Sequence, residues 1–410
     1  MKNMVNNVTK NTAMLYLMNI AKLIFPLMTL PYLTRVLSVD AYGVVAYVKS
    51  VMTYMQILVD FGFVLSSTKG IVEANGDMKK IGAIVGESIA AKLLLCCAGI
   101  LILAVMSVTM PILKAYTVYT FLSFAVVVLS SFLMDYLFRG LEKMHILTIR
   151  FVIMKGISTI LTFVFVRGDE SLLWIPALDV ISSLVAVVLS VHEAKKIGVI
   201  FSVKLKRILE CLKESFLYFC SQMATTVFSA FTTIVIGYFM STADVAYWSV
   251  VMQIVSAVQA MYSPIADGIY PEMVRSKSLA LVKKLFLYIT PVLLAGTVLA
   301  VVLAKYVMLV IGGEKYVAAT NVLRTVAPIF PMTFYVYIFG WPMLGAINRV
   351  KENTITTVSY AVFAIVGLMA LALSGKLNLI NLAVFRWVTE LFLLLMRAGF
   401  CFKFRNEFNK

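Results

Sequence analysis

The chain of 410 residues is 61% hydrophobic and only 14% charged, against about half and about a quarter in ordinary soluble domains. That balance excludes a water-soluble globular protein and places the chain in lipid. Its 36 Lys and Arg against 20 Asp and Glu leave +16, an excess that suits an anionic partner such as nucleic acid or a membrane surface, so the positions of the cations decide between them.

A membrane helix needs about 20 mainly apolar residues. Such runs recur twelve times, without the alternation of outer-membrane strands, and predict an all-α integral membrane protein of about 12 transmembrane helices. The predicted spans are 12–34, 43–65, 83–106, 116–138, 148–166, 172–192, 215–239, 245–265, 285–308, 321–345, 354–374 and 380–402. With the N-terminus inside, and with Arg150 counted at the cytoplasmic interface of its span, the cytoplasmic segments hold 23 Lys and Arg and the external ones 5. That is the positive-inside bias of an even number of spans with both termini cytoplasmic, and it assigns most of the +16 to orientation rather than to nucleic acid. Residues 1–10 lack the profile of a cleaved signal.

Polar groups inside lipid are costly and mark a bundle interior or a watery cavity. In span one, Tyr16, Asn19, Lys22, Pro26 and Thr29 recur at steps of three and four and share a face; Lys49, Thr53, Gln56 and Asp60 do the same in span two. Span three carries Glu87, Lys92, Cys96 and Cys97, span four Asp135, span five Lys155 and span six Asp179. Asp60, Glu87 and Asp135 lie towards cytoplasmic ends, where local pairing is expected; Asp179 is deeper and is a candidate for cation coupling, with Asp60 and Glu390. The basic connector 193–214 then divides the chain into lobes 1–200 and 201–410, and its segment Val203–Leu212 is amphipathic, as for a helix lying on the membrane surface.

The second half opens as the first does. Span seven offers Gln222, Thr225, Thr226, Ser229, Thr232 and Thr233, and span eight Ser249, Gln253, Ser256, Gln259 and Ser263. Ser38–Asp40 before span two echoes Ser241–Asp244 before span eight, a weak repeat signal of the kind transporters carry. Pro26 and Pro31 in span one and Pro328, Pro331 and Pro342 in span ten permit kinks. Span twelve aligns Arg386, Glu390 and Arg397, with an intrahelical Arg386–Glu390 pair as the simplest reading.

The spans therefore hold eight basic and five acidic residues. A cavity lined by Lys22, Lys49, Lys92, Lys155 and Arg386 suits a phosphate or diphosphate headgroup. Asn19, Thr53, Gln56, Gln222, Thr226, Ser229, Gln253 and Ser256 would supply its polar lining. The sequence has no sugar-nucleotide D-x-D, no phosphate loop, no metal-site Cys/His spacing and no long external loop for catalysis, so it reads as no enzyme and as needing no cofactor. Energy must come from an ion gradient or from the substrate's own gradient.

Pro31 to Gly43 reads PYLTRVLSVDAYG, followed by Val59-Asp60-Phe61-Gly62-Phe63 and Ser67-Thr68-Lys69. This resembles the N-terminal pattern of bacterial polysaccharide flippases of the O-antigen and capsule type, in the multidrug/oligosaccharidyl-lipid/polysaccharide exporter superfamily. Ser38 departs from that pattern, which commonly has Gly there, and is expected to alter a tight turn. The resemblance implies two six-helix lobes around a central cavity, alternating access, and translocation of undecaprenyl-diphosphate-linked oligosaccharide across the bacterial cytoplasmic membrane. It further implies H+ or Na+ as coupling ion, and a polysaccharide polymerase and a chain-length regulator as partners besides membrane lipids. The alternatives are a cation-coupled exporter of organic cations from the same superfamily and a membrane glycosyltransferase or polymerase.

Overall fold

This computed structural model describes the backbone of residues 2–408 and the side chains among them except at 2–10, 205–206, 221 and 224–229. Every regular element among the described residues is helical, as expected where each backbone group must be satisfied within the segment. Among the described residues ten helices are long and apolar enough to cross a membrane, and an eleventh span passes if the pair Glu314–Val326 and Ile329–Gly345, bent by 48°, is counted as one. The predicted span 215–239 lies within the helix Leu205–Phe239, of which Ala230–Phe239 is apolar. The chain forms two compact units, Met1–Thr226 and Val227–Lys410.

In the first unit α1 (Lys2–Val36) runs unbroken through Pro26 and Pro31. Thr29 Oγ1 donates to Phe25 O at 3.0 Å, and Thr34 Oγ1 to Leu30 O at 2.9 Å, turning both hydroxyls back onto their own helix rather than onto the Lys22 and Leu27 carbonyls that the prolines leave without a donor. The Tyr32 hydroxyl reaches across to Val166 O at 2.7 Å. That carbonyl is an orphan at the end of a helix, so Tyr32 closes it.

Ser38 sits at φ −63°, ψ 161°, a conformation open to any residue, and caps α2 (Val39–Asp60) by accepting from Ala41 N. Its own N–H donates to Asp169 Oδ1 at 2.8 Å. The expected change to a tight turn is therefore a helix cap. Ser241 does likewise in the second unit, where it and Asp244 form a reciprocal capping box. The echo between the two halves thus has a local physical cause.

Breaks in the helices fall where hydropathy gives no sign. α2 ends at Phe61, φ 42°, and Gly62, φ 81°; a Cβ on Gly62 would lie 2.6 Å from Tyr218 Cβ. After this break comes α3 (Phe63–Glu73), then α4 (Met78–Thr109), whose N-cap Asp77 accepts from Lys79 N and Lys80 N. Two short helices, α5 (Pro111–Ala115) and α6 (Thr117–Ser130), lead to a second break at Met134, φ 51°, and to α7 (Asp135–Gly140). Here Arg150, at the start of α8 (Met144–Phe165), is buried rather than interfacial: it donates to the freed Leu133 O, to Ser190 Oγ and to the Asp135 carboxylate. After α9 (Trp174–Lys196) the connector lies extended in a groove on α4, where Cβ atoms on Gly82 and Gly86 would collide with Ile200 O and Ser202 O at 1.9 and 2.3 Å.

The amphipathic segment 203–212 is not a separate surface helix, because it continues into α10 (Leu205–Phe239) without a break. The second unit comprises α11 (Thr242–Ala260), α12 (Ser263–Ser276), α13 (Leu279–Gly312), α14 (Thr320–Val326), α15 (Ile329–Ile338), α16 (Val350–Leu373) and α17 (Leu379–Lys403), with a π-helical segment at Phe339–Gly345 around Pro342. Its core gathers Tyr262, Met273, Phe334, Ile338 and Leu344. By contrast Val292, Val298 and Val302 of α13 are more than 60% exposed, as suits a span whose outer face meets lipid.

Candidate functional site

The first unit encloses a cavity of about 690 Å³, walled by α1, α2, α6, α8 and α9 with Gln222 of α10. From α1 come Lys22, Pro26 and Thr29, and from α2 Lys49, Thr53, Gln56 and Asp60, because steps of three and four keep these side chains on one face. Lys155, Ser158 and Thr162 of α8 and Asp179 of α9 complete the polar wall. Phe25, Tyr119 and Phe151 supply aromatic surface between them.

The charges in the wall are unequally matched. Asp179 accepts from Ser158 Oγ at 2.7 Å and from Lys155 Nζ at 3.3 Å. Asp60 accepts from Gln56 Nε2 at 2.9 Å and from Lys92 Nζ at 2.7 Å. Lys92 lies behind this wall, 4% exposed, and contributes charge to Asp60 rather than to the cavity. Both carboxylates are thus held by ammonium groups. Lys22 and Lys49 are exposed, and among the described residues neither has a carboxylate within ion-pair distance. Lys22 Nζ stands 5.7 Å from the centroid of the Phe151 ring, a modest cation–π contact that leaves its donors available. The cavity therefore offers two uncommitted ammonium groups within a ring of hydroxyl, amide and aromatic groups, a surface suited to an anion that also bears hydroxyls.

A family model described as polysaccharide biosynthesis protein matches residues 8–277. The chain belongs to that family. It is 29% identical over 283 residues to a putative O-antigen transporter of Shigella dysenteriae, covering 68% of this chain and 70% of the relative. The fold is similar to those of solved membrane proteins. It superimposes on the lipid II flippase MurJ, inward closed, with a TM-score of 0.66 at 13% identity, over 97% of this chain and 87% of the other. It also superimposes on an inward-facing multidrug resistance MATE family transporter of the MOP superfamily, with a TM-score of 0.64 at 15% identity and 95% coverage of each. The family membership and the apolar helices make this a multi-pass membrane protein.

Of the residues singled out in the sequence of this family member, Lys22, Lys49, Lys155, Thr53, Gln56, Asp60, Asp179 and Gln222 come together in the cavity. Asn19 is exposed and does not line it. The side chains of Thr226 and Ser229 lie outside those described. Gln253, Ser256, Arg386 and Glu390 belong to the second unit. There Arg386 Nη1 donates to Glu390 Oε2 at 2.8 Å, and Glu390 Oε1 accepts from Thr333 Oγ1, itself bonded by Gln259. Arg397 donates to Val336 O and to Thr357 Oγ1. Asp60 and Asp135 are paired, with Lys92 and Arg150, whereas Glu87 is buried with Oε1 unpartnered among the described residues. Sequence reasoning missed Ser158 and Thr162, although Lys155, Ser158 and Thr162 repeat the three-and-four spacing used for spans one and two. It also missed Tyr119 and Phe151, which nothing distinguishes from the many other aromatics in the spans.

Proposed function

We propose that the protein is a flippase for undecaprenyl-diphosphate-linked oligosaccharide repeat units in the bacterial cytoplasmic membrane, with both termini cytoplasmic, and that it performs transport rather than catalysis. The observation that carries this reading is the pair of uncommitted lysines, Lys22 and Lys49, in a cavity whose carboxylates are already bound. The diphosphate takes the two ammonium groups as point-charge partners. Sugar hydroxyls bond to Thr53, Gln56 and Ser158, and the polyprenyl chain stays in the bilayer. Alternating access exposes the cavity to each side in turn, coupled to H+ or Na+ by exchange at Asp60 or Asp179. A polymerase and a chain-length regulator act on the product at the outer leaflet.

The presence of Asp60 and Asp179 in the same cavity favours a second reading, a cation-coupled exporter of organic cations. The two readings separate in cells carrying Lys22→Ala with Lys49→Ala. A flippase loses surface polysaccharide by more than about tenfold at normal protein abundance, since each charge-assisted bond contributes roughly 1.5–3 kcal/mol. Wild-type polysaccharide with that double variant, together with cation efflux abolished by Asp60→Asn, would overturn the first reading in favour of the second.

A further inference from the structure

A second cavity of about 630 Å³ lies in the first unit between α3, α4, the connector and α10, and it shares no lining residue with the lysine cavity. Its charges are layered. At the bottom, Glu87 is 3% exposed, its Oε2 lies 3.9 Å from Cys211 Sγ, and its Oε1 has no partner among the described residues. Burial, with the Glu87 carboxylate beside it, pushes the Cys211 thiol up to about 11, so at neutral pH it is an S–H, a weak donor. A buried carboxylate served only by a thiol lacks the hydrogen bonds that make such burial tolerable. At the rim stand four cations, Lys79, Lys80, Lys204 and Arg207, which outnumber the two exposed carboxylates there, Glu73 and Glu214. These are surface groups: Lys80 is 72% and Arg207 59% exposed, each in a loose pair with a neighbouring carboxylate. Beside the rim the connector presents Ile200, Phe201 and Val203 at 80%, 40% and 51% exposure.

A ligand complementary to this order carries an N–H cation at its tip, an anion one short link behind, and apolar chains trailing from the anion. We propose that this cavity binds a membrane phospholipid whose headgroup is a phosphate ester of a primary amine, as in phosphatidylethanolamine. The ammonium enters first and donates to Glu87 Oε1. The phosphate stops at Lys79, Lys80, Lys204 and Arg207, and the acyl chains lie along Ile200, Phe201 and Val203. A purely anionic headgroup satisfies the rim and leaves Glu87 bare; a quaternary ammonium has no hydrogen to donate. The proposal is independent of the transported substrate. It adds a lipid contact at the connector, which packs in the Gly82 and Gly86 groove just above Glu87.

The test uses the purified full-length protein in detergent, with affinities read by native mass spectrometry for phosphatidylethanolamine, its N-methyl and N,N-dimethyl derivatives, phosphatidylcholine and phosphatidylglycerol. The expected result is affinity falling along the methylation series, with phosphatidylethanolamine at least about tenfold tighter than phosphatidylcholine and phosphatidylglycerol. Glu87→Gln should erase that preference, while Lys204→Ala with Arg207→Ala should weaken all the phospholipids alike. Equal binding of phosphatidylethanolamine and phosphatidylcholine by the wild-type protein overturns the proposal, whether or not the Glu87 variant folds. Displacement of the lipid by free phosphoethanolamine at equal concentration would assign the site to a soluble ligand, and overturns it too.

Discussion

The two units treat charge inside the membrane in opposite ways. In the second, Arg386 and Glu390 are 13% and 6% exposed and bound to each other, and Arg397 is spent on a backbone carbonyl and threonine hydroxyls. In the first, Lys155 and Lys92 are matched by Asp179 and Asp60, while Lys22 and Lys49 are left open in a cavity. The rigid donor fork of arginine suits fixed internal partners, and the mobile lysine ammonium suits an incoming one. An intramembrane cation is therefore informative about cargo only once its partner is known.

Substitutions should sharpen this contrast. The largest effect on stability is expected from Glu390→Ala, which strands Arg386 in a buried site at a cost of about 3–5 kcal/mol. Replacing both with apolar residues of similar volume should restore most of it, as thermal unfolding in detergent would show; full stability of Glu390→Ala alone would remove the distinction between the units. Lys22→Met and Lys49→Met should leave stability unchanged or slightly raised, because among the described residues neither side chain has an ion-pair partner to strand. A loss of the size seen for Glu390→Ala would mark these lysines as structural. Ser38→Ala should cost about 1 kcal/mol through the lost cap, and Ser38→Gly only a few tenths, with no change in transport by the folded protein.

The smallest effect concerns Asp77, outside the spans. Its bonds from the Lys80 and Lys79 backbone N–H groups hold its carboxyl below the usual value of 3.8. The cap's contribution is thus present above that value and lost as pH falls through the lower folded one. Unfolding of Asp77→Asn should be less sensitive to acid over that window than wild type, and an identical acid response would exclude the cap as its source.

The spans were legible because lipid demands long apolar runs, and the α1 and α2 walls because polar residues at steps of three and four must share a face. The helix breaks at Phe61–Gly62 and Met134 were not, since hydropathy continues across them and only the packing of Tyr218, or the reach of Arg150, sets them. Pairing was equally hidden: Lys92 and Asp60 lie 32 positions apart, so Lys92 read as a headgroup cation when it is the counter-ion of a wall residue. The connector read as a surface helix because amphipathicity does not show where a helix ends. Part of the signature segment proved to be a fastener. The Tyr32 hydroxyl ties α1 to the turn between α8 and α9, and the backbone N–H of Ser38, the position that departs from the family pattern, ties the start of α2 to the same turn; these contacts serve the fold.

The central claim is that Lys22 and Lys49 serve the cargo and not the fold. It is tested most directly in proteoliposomes holding undecaprenyl-diphosphate-linked oligosaccharide, by following the lipid-linked sugar that becomes accessible on the opposite face. The expected result is transport by the wild-type protein and loss of more than about tenfold in Lys22→Met with Lys49→Met, at unchanged unfolding temperature, if each lost bond is worth roughly 1.5–3 kcal/mol. Wild-type transport by the folded double variant would contradict it.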